Sequence, residues 1–256
     1  MQTATKDPAA GTPVIAIRNL HKSYGTLEVL KGVDLTAHRG HVVSLIGSSG
    51  SGKSTLLRCC NLLEDSQDGE ITFEGEPVLW KGRGLGRHPA DRGQVTRIRT
   101  NLSMVFQQFN LWSHLTILQN VMEAPVTVLG RDKAEVEAAA RGYLEKVGIA
   151  EKCDAYPAML SGGQQQRAAI ARAMANDPPQ VVADEPTGNL DSQTADAVLG
   201  LLASLAARGK SVLMVTHERD VSAIADRVVT LSDGRVVGNE PMRRPVVAAL
   251  QEPRHA

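Results

Sequence analysis

Gly47-Ser48-Ser49-Gly50-Ser51-Gly52-Lys53-Ser54 constrains this chain more than any other segment. The run fits G-x-x-x-x-G-K-[ST], a loop whose glycines let successive backbone N–H groups turn inward around an anion. Its context is the required one. The apolar stretch His41–Ile46 precedes it as a strand candidate, and Lys53–Leu62 follows with a helical pattern. A helix starting near Lys53 points the positive end of its dipole at the same anion. Lys53 then neutralises phosphate charge, and Ser54 offers a hydroxyl to Mg²⁺. The rest of the chain must supply the sheet into which such a strand fits.

It does so with short apolar runs alternating with helical patterns. Val14–Ile17, Ile71–Phe73, Met104–Phe106, Val181–Ala183 and Ser211–Thr216 read as strands. Arg227–Leu231 and Arg235–Val237 flank Asp233-Gly234, a hairpin turn signal. Lys133–Val147 is a helix candidate, with Asp132 and Glu135 where an N-cap and its N3 partner belong. Thr194–Arg208 is another and stops at Gly209. The pattern predicts an α/β core with a largely parallel sheet. About Gln107–Leu160 has few strand signals and reads as a helical lobe inserted in that core. Residues 14–240 form one domain in this reading, between a disordered leader at 1–13 and a C-terminal tail at 241–256. Lys81–Arg99 carries six basic residues against Asp91. It is expected to be a solvated surface loop; the sharper alternative is a docking surface for an anionic partner.

Charge and hydropathy narrow the function. Lys plus Arg number 28 and Asp plus Glu 28, which excludes a strongly basic nucleic-acid coat. No apolar run reaches the roughly 18–20 residues of a membrane helix. Three cysteines, two of them adjacent, fit neither a disulfide framework nor a zinc site and read as reduced packing residues.

Two further motifs bear on phosphate chemistry. Asp184-Glu185 ends the strand candidate Val181–Ala183. One carboxylate there can hold Mg²⁺, usually through water, and the next can polarise an attacking water. Leu160-Ser161-Gly162-Gly163-Gln164-Gln165-Gln166-Arg167 contains the S-x-x-Q spacing of a capping box. Gly162 and Gly163 fall in the first turn of the helix behind it, with free N–H groups, so this is a second anion site. Two separated phosphate sites in one chain can serve one nucleotide if two copies pair head to tail.

Together these motifs resemble those of the nucleotide-binding subunits of ATP-binding cassette (ABC) transporters, over about residues 14–240. Gly47–Thr55, including Thr55, resembles Walker A, Leu160–Gln164 the LSGGQ signature, and Val181–Glu185 Walker B. Asn189-Leu190-Asp191 resembles the D-loop, His217 the switch histidine, Gln107 the Q-loop glutamine and Tyr24 the aromatic that stacks on adenine. The resemblance implies a P-loop NTPase core with an antiparallel β subdomain and an inserted helical subdomain. It implies ATP and Mg²⁺, with the metal held by Ser54, Gln107 and, through water, Asp184. Glu185 would polarise water, His217 would contact the γ-phosphate, and Ser161–Gln164 and Asp191 would act across a homodimer formed on ATP binding. Two integral membrane permeases and, indirectly, a solute-binding protein would be partners, with the chain peripheral on the cytoplasmic face of the inner membrane.

Within that family, His21–Gly25, Glu28–Val33, Gly47–Cys59 and Met104–Gly130 resemble importers of polar and basic amino acids, of the histidine, arginine and octopine type. Ala183–Asp191 and Ala225–Gly234 instead resemble lipoprotein-releasing and macrolide-export ATPases. The first set is expected to decide, because the segment after Gln107 is where this family meets its membrane partner.

Overall fold

The computed structural model describes residues 13–216 and 224–242. Its strands, in chain order, are β1 (Ile15–Tyr24), β2 (Leu27–Ala37), β3 (Val42–Ile46), β4 (Asp68–Phe73), β5 (Glu76–Pro77), β6 (Trp80–Lys81), β7 (His88–Pro89), β8 (Leu102–Val105), β9 (Gln180–Asp184), β10 (Ser211–Val215), β11 (Arg227–Ser232) and β12 (Arg235–Pro241). The α-helices are α1 (Lys53–Cys60), α2 (Arg92–Asn101), α3 (Ile117–Glu123), α4 (Lys133–Lys146), α5 (Gly162–Met174) and α6 (Ser192–Ala207).

The central sheet runs β12-β11-β3-β10-β9-β8 and is parallel except for the β11–β12 hairpin. Every residue of β9 and β10 is buried, as expected of parallel strands covered on both faces. Alternate side chains feed two cores. Val181, Ala183, Val212 and Met214 join α3, α4, α5 and α6 on one face. Val182, Leu213, Val215, Val43 and Leu45 join α1 and the antiparallel sheet β2-β1-β4-β5 on the other. Fully buried residues such as Ile117 and Leu144 contribute about 1.5–3 kcal/mol each relative to exposure.

Sequence periodicity overlooks β2, and its cause is local. Leu20 pairs with Val33 and His21 with Lys31, so Gly32 is the extra residue of a bulge. Its φ of +80° and the approach of Asn19 Oδ1, 2.9 Å from where a Cβ would stand, reserve the position for glycine. The buried set Leu30, Val33, Leu35 and Ala37 therefore loses its period of two at that point.

Lys81–Arg99 is not the loop expected of it. After the small β6–β7 hairpin it becomes α2, whose first turn is capped by the Asp91 carboxylate accepting from Gly93 N–H at 2.7 Å. Half of its cations serve the fold. The Arg87 guanidinium lies 4.3 Å over Trp80 and donates to Gly69 O at 2.6 Å. Arg97 pairs with Glu76 at 2.6 Å, and Arg99 donates to Leu62 O at 2.7 Å. Lys81, Arg83 and Arg92 are exposed. All three cysteines are buried free thiols, and burial pushes Cys59 up to about 12.

Between β8 and β9 the described residues form no strand. Thr116 and Gln119 cap α3 reciprocally, and the Asp132 carboxylate accepts from the N–H groups of Ala134 and Glu135 at the start of α4. A π-helical turn, Ala124–Val128, joins the two helices. No helix among the described residues is long and apolar enough to cross a membrane. The leader up to residue 12 and the tail beyond 242 lie outside the described residues.

Candidate active site

The site gathers at the C-terminal ends of the parallel strands, where open α/β sheets bind ligands. Gly47 leaves β3 with φ +151°, and a Cβ there would stand 2.1 Å from the Leu231 carbonyl oxygen of β11, so only glycine fits. Ser48, Ser49 and Gly50 form an exposed crest, while Ser51, Gly52 and Lys53 are buried. The loop is tied down from behind: Gly234 N–H, in the β11–β12 turn, donates to Ser51 O at 3.1 Å. Lys53 Nζ folds back to donate to Gly47 O and Ser48 O, both at 2.8 Å. Gly52 is the N-cap of α1 and makes no side-chain cap, and the first turn carries no acid. The helix end is thus left with N–H groups and positive potential for an anion.

Ser54 and Asp184 meet across the sheet. Ser54 Oγ donates to Asp184 Oδ1 at 2.8 Å, bringing the start of α1 to the end of β9. Glu185 follows with φ +48°, an uncommon conformation for a residue with a side chain. Its N–H donates to Val215 O at 3.0 Å, and its carbonyl accepts from Gly188 N–H at 3.2 Å, so pairing with β10 and a tight turn hold it there. Such backbone strain, about 1–3 kcal/mol, persists where surrounding structure over-determines it.

Gln107 reaches the same turn. A Cβ on Gly188 would stand 2.9 Å from Gln107 Nε2, and Asn189 Nδ2 donates to Gln107 O at 3.1 Å. Tyr24 approaches α1 from the antiparallel sheet. The Lys22 ammonium lies 4.7 Å over its ring, and the Tyr24 hydroxyl lies near Thr55 and Glu64. Burial holds the Tyr24 hydroxyl above its ordinary pKa.

The S-x-x-Q capping box forms at α5. Ser161 Oγ accepts from Gln164 N–H at 3.3 Å, and Gln164 Oε1 accepts from Ser161 N–H at 3.0 Å. The atoms nearest Gly162 and Gly163 belong to Phe109, Asn189, Leu190 and Thr194, not to the phosphate loop. One chain therefore presents the two candidate anion sites apart. Asp191 caps α6: its carboxylate accepts from Thr194 Oγ1 at 2.7 Å and Thr194 N–H at 3.0 Å, which holds it below the usual carboxylate range. His217 lies outside the described residues.

Two contacts escaped the motif-based reading. Arg172, on α5, donates to the carbonyls of Phe109 and Asn110, which both have left-handed backbones, with φ +56° and +51°. Lys22 is buried against Glu64 and Asp65 O. Neither belongs to a phosphate motif; only a buried cation in an otherwise ordinary helix or strand pattern signals them.

The family model described as ABC transporter matches residues 30–188. Octopine permease ATP-binding protein P of Agrobacterium tumefaciens (strain Ach5) is 51% identical over 231 residues, covering 90% of this chain and 88% of that protein. Histidine/lysine/arginine/ornithine transport ATP-binding protein HisP of Escherichia coli (strain K12) is 49% identical, covering 85% of this chain and 86% of that protein. Among solved structures, the dimeric structure of MJ0796, a bacterial ABC transporter cassette, superposes with a TM-score of 0.78 at 37% identity, covering 90% of this chain and 99% of that one. A match over more than half the chain, joined to relatives at half identity, places it: the chain belongs to the ABC transporter family.

Proposed function

We propose that this chain hydrolyses ATP to energise import of basic amino acids or their derivatives across the cytoplasmic membrane. The observation that carries the ATPase reading is the 2.8 Å contact between Ser54 and Asp184, which joins the phosphate loop to the acid pair. The import reading is supported by relatives named for octopine and for histidine, lysine, arginine and ornithine transport. Those names favour import over the lipoprotein-releasing alternative suggested by Ala183–Asp191. The chain would sit on the cytoplasmic face of the inner membrane with two permease subunits, served indirectly by a solute-binding protein.

In this reading the phosphates lie on the N–H groups of Gly47–Thr55, with Lys53 as their cation. Ser54 and Asp184 supply hard oxygens suited to Mg²⁺, and Gln107 would complete the protein's share. No group of three or more His, Cys, Asp or Glu side chains able to hold a metal occurs among the described residues. The ion would draw the rest of its shell from phosphate and water, as Mg²⁺ does. Bound there, it would neutralise charge on the β- and γ-oxygens. Glu185 accepts the proton of the attacking water, and His217 holds the γ-phosphate. Tyr24 stacks on adenine. Ser161, Gly162, Gly163, Gln164 and Asp191 complete the site of a second copy, which explains why the two anion sites stand apart in one chain. A neighbour solved as a dimer supports that arrangement. The test is reconstitution with the permease subunits in vesicles, with the solute-binding protein added, following ATP-dependent uptake of labelled arginine. ATP turnover without uptake of any basic amino acid would overturn the substrate class.

Coupling to the membrane gives a separate expectation. Trp112 is 55% exposed, so it does not pack within the helical lobe. Its turn is nonetheless rigid. The buried Asn120 side chain accepts from Trp112 N–H at 2.7 Å and donates to the carbonyls of Trp112, Leu115 and Thr116. Trp112→Ala touches none of these backbone bonds. It is predicted to change stability by less than about 0.5 kcal/mol. Basal ATPase should persist while permease association weakens by about 2 kcal/mol. Pull-down of wild-type amounts of permease, with normal transport, would remove Trp112 from the docking surface.

A further inference from the structure

Lys22 is a charged side chain with only 6% of its surface exposed, and nothing in the phosphate chemistry uses it. Three contacts account for its burial. Its ammonium pairs with Glu64 Oε2 at 2.9 Å, donates to Asp65 O at 2.8 Å, and lies 4.7 Å from the centroid of the Tyr24 ring. Lys22 and Tyr24 are two apart on β1, so both project from the same face of the strand. Glu64 engages both residues. It pairs with Lys22 and lies near the Tyr24 hydroxyl, and the Lys22 ammonium, first of all, holds its carboxyl below the usual range. The same hydroxyl meets Thr55 in the first turn of α1.

Tyr24 is therefore backed on one side while remaining 43% exposed. The Lys22 ammonium lies over its ring, and the half-buried Glu64 and the first turn of α1 lie near its hydroxyl. A solvated aromatic needs no such fixing, and a buried lysine facing a ring is costly unless the ring and its partners compensate it.

We propose that Lys22 is a positioning residue for base binding. Its ammonium holds one face of Tyr24 and polarises the ring, leaving the other face as a rigid platform for the base of a nucleotide whose phosphates occupy Gly47–Thr55. The inference rests on the reading of Tyr24 as the adenine-stacking residue. It adds that the platform is a three-layer stack of ammonium, phenol and base, set beside the start of α1.

The test separates base from phosphate. Calorimetric titration of the full chain with ATP and with inorganic tripolyphosphate is compared for wild type, Lys22→Met, Lys22→Arg and Tyr24→Ala. Met keeps the length and aliphatic bulk of Lys22 and removes its charge. Lys22→Met should weaken ATP binding by about three- to tenfold, the range of a cation–π contact. Tripolyphosphate, which has no base, should bind as it does to wild type. In steady state the variant should raise KM for ATP and leave kcat at saturation unchanged, and Lys22→Arg should restore KM. If Lys22→Met weakens both ligands equally, Lys22 serves only the fold of the loop and the proposal fails. If Tyr24→Ala loses ATP affinity while Lys22→Met does not, stacking stands and the role of Lys22 falls. If Tyr24→Ala binds ATP as wild type does, the stacking reading itself is wrong, and the proposal goes with it.

Discussion

Glu185→Gln should slow ATP hydrolysis by about 10²–10⁴-fold while leaving ATP binding intact, the usual cost of removing a general base. The backbone makes this a clean substitution. Glu185 is held with φ +48° by its own N–H and carbonyl, bonded to Val215 and Gly188, and those bonds do not involve the side chain. An amide of nearly the same size keeps the geometry and loses the ability to accept a proton. If two copies close around ATP as proposed, turnover would separate them, and the slowed variant should accumulate as a dimer. Gel filtration in ATP and Mg²⁺ reads that directly, beside a phosphate-release assay. Wild-type turnover would place the proton acceptor elsewhere.

Lys53→Ala is expected to abolish productive ATP binding, for two reasons that add. The ammonium donates to Gly47 O and Ser48 O at 2.8 Å each, so it clamps the loop from inside before any ligand arrives. In the proposed site it would also be the cation that offsets phosphate charge. A charge-assisted hydrogen bond to phosphate contributes about 1.5–3 kcal/mol, so losing it weakens binding by about 10–10²-fold, and the loss of the internal clamp adds to this. Calorimetric titration should show no saturable ATP binding at concentrations that saturate wild type. Because the loop is tied separately to Gly234, the variant should still fold, and an unaltered far-UV spectrum checks this. Normal turnover would overturn the phosphate-loop assignment.

The parts of this site that were legible in the sequence are those whose chemistry is local. A capping box needs only Ser161 and Gln164, three apart, and it forms as its spacing predicts. The phosphate loop needs glycines at fixed offsets from Lys53. The strands with both faces covered announce themselves as unbroken apolar runs, as β9 and β10 do. What stayed hidden depends on residues far apart in the chain. Arg172 reaches carbonyls more than sixty positions earlier, and nothing in the sequence around either end marks the pairing. Asp191 shows a limit of a different kind: its D-loop resemblance gave no sign that its carboxylate is already engaged in capping α6. Lys81–Arg99 is largely exposed, as its cations suggest, but it is a hairpin and a helix and not a loop, and Arg87, Arg97 and Arg99 each find a partner on a neighbouring element.

The alanines of α5 have a mechanical meaning. Gln166, Ala168, Ala169, Ile170, Ala171, Ala173 and Met174 are buried, so the helix is enclosed on nearly every side between the lobe and the sheet. Alanine has no rotamers to rearrange, and a close-packed interior compresses little. A rod built this way passes a displacement along its axis instead of dissipating it in side-chain motion. Ser161 stands at one end, and Arg172, near the other, grips the Phe109–Asn110 turn just beyond Gln107. A push on the serine would therefore be passed to the Phe109–Asn110 turn, both along the helix and through the Phe109 ring beside Gly162. On the proposed function, α5 would act as a stiff lever between the place where a partner's phosphate presses and the place where a membrane subunit feels it.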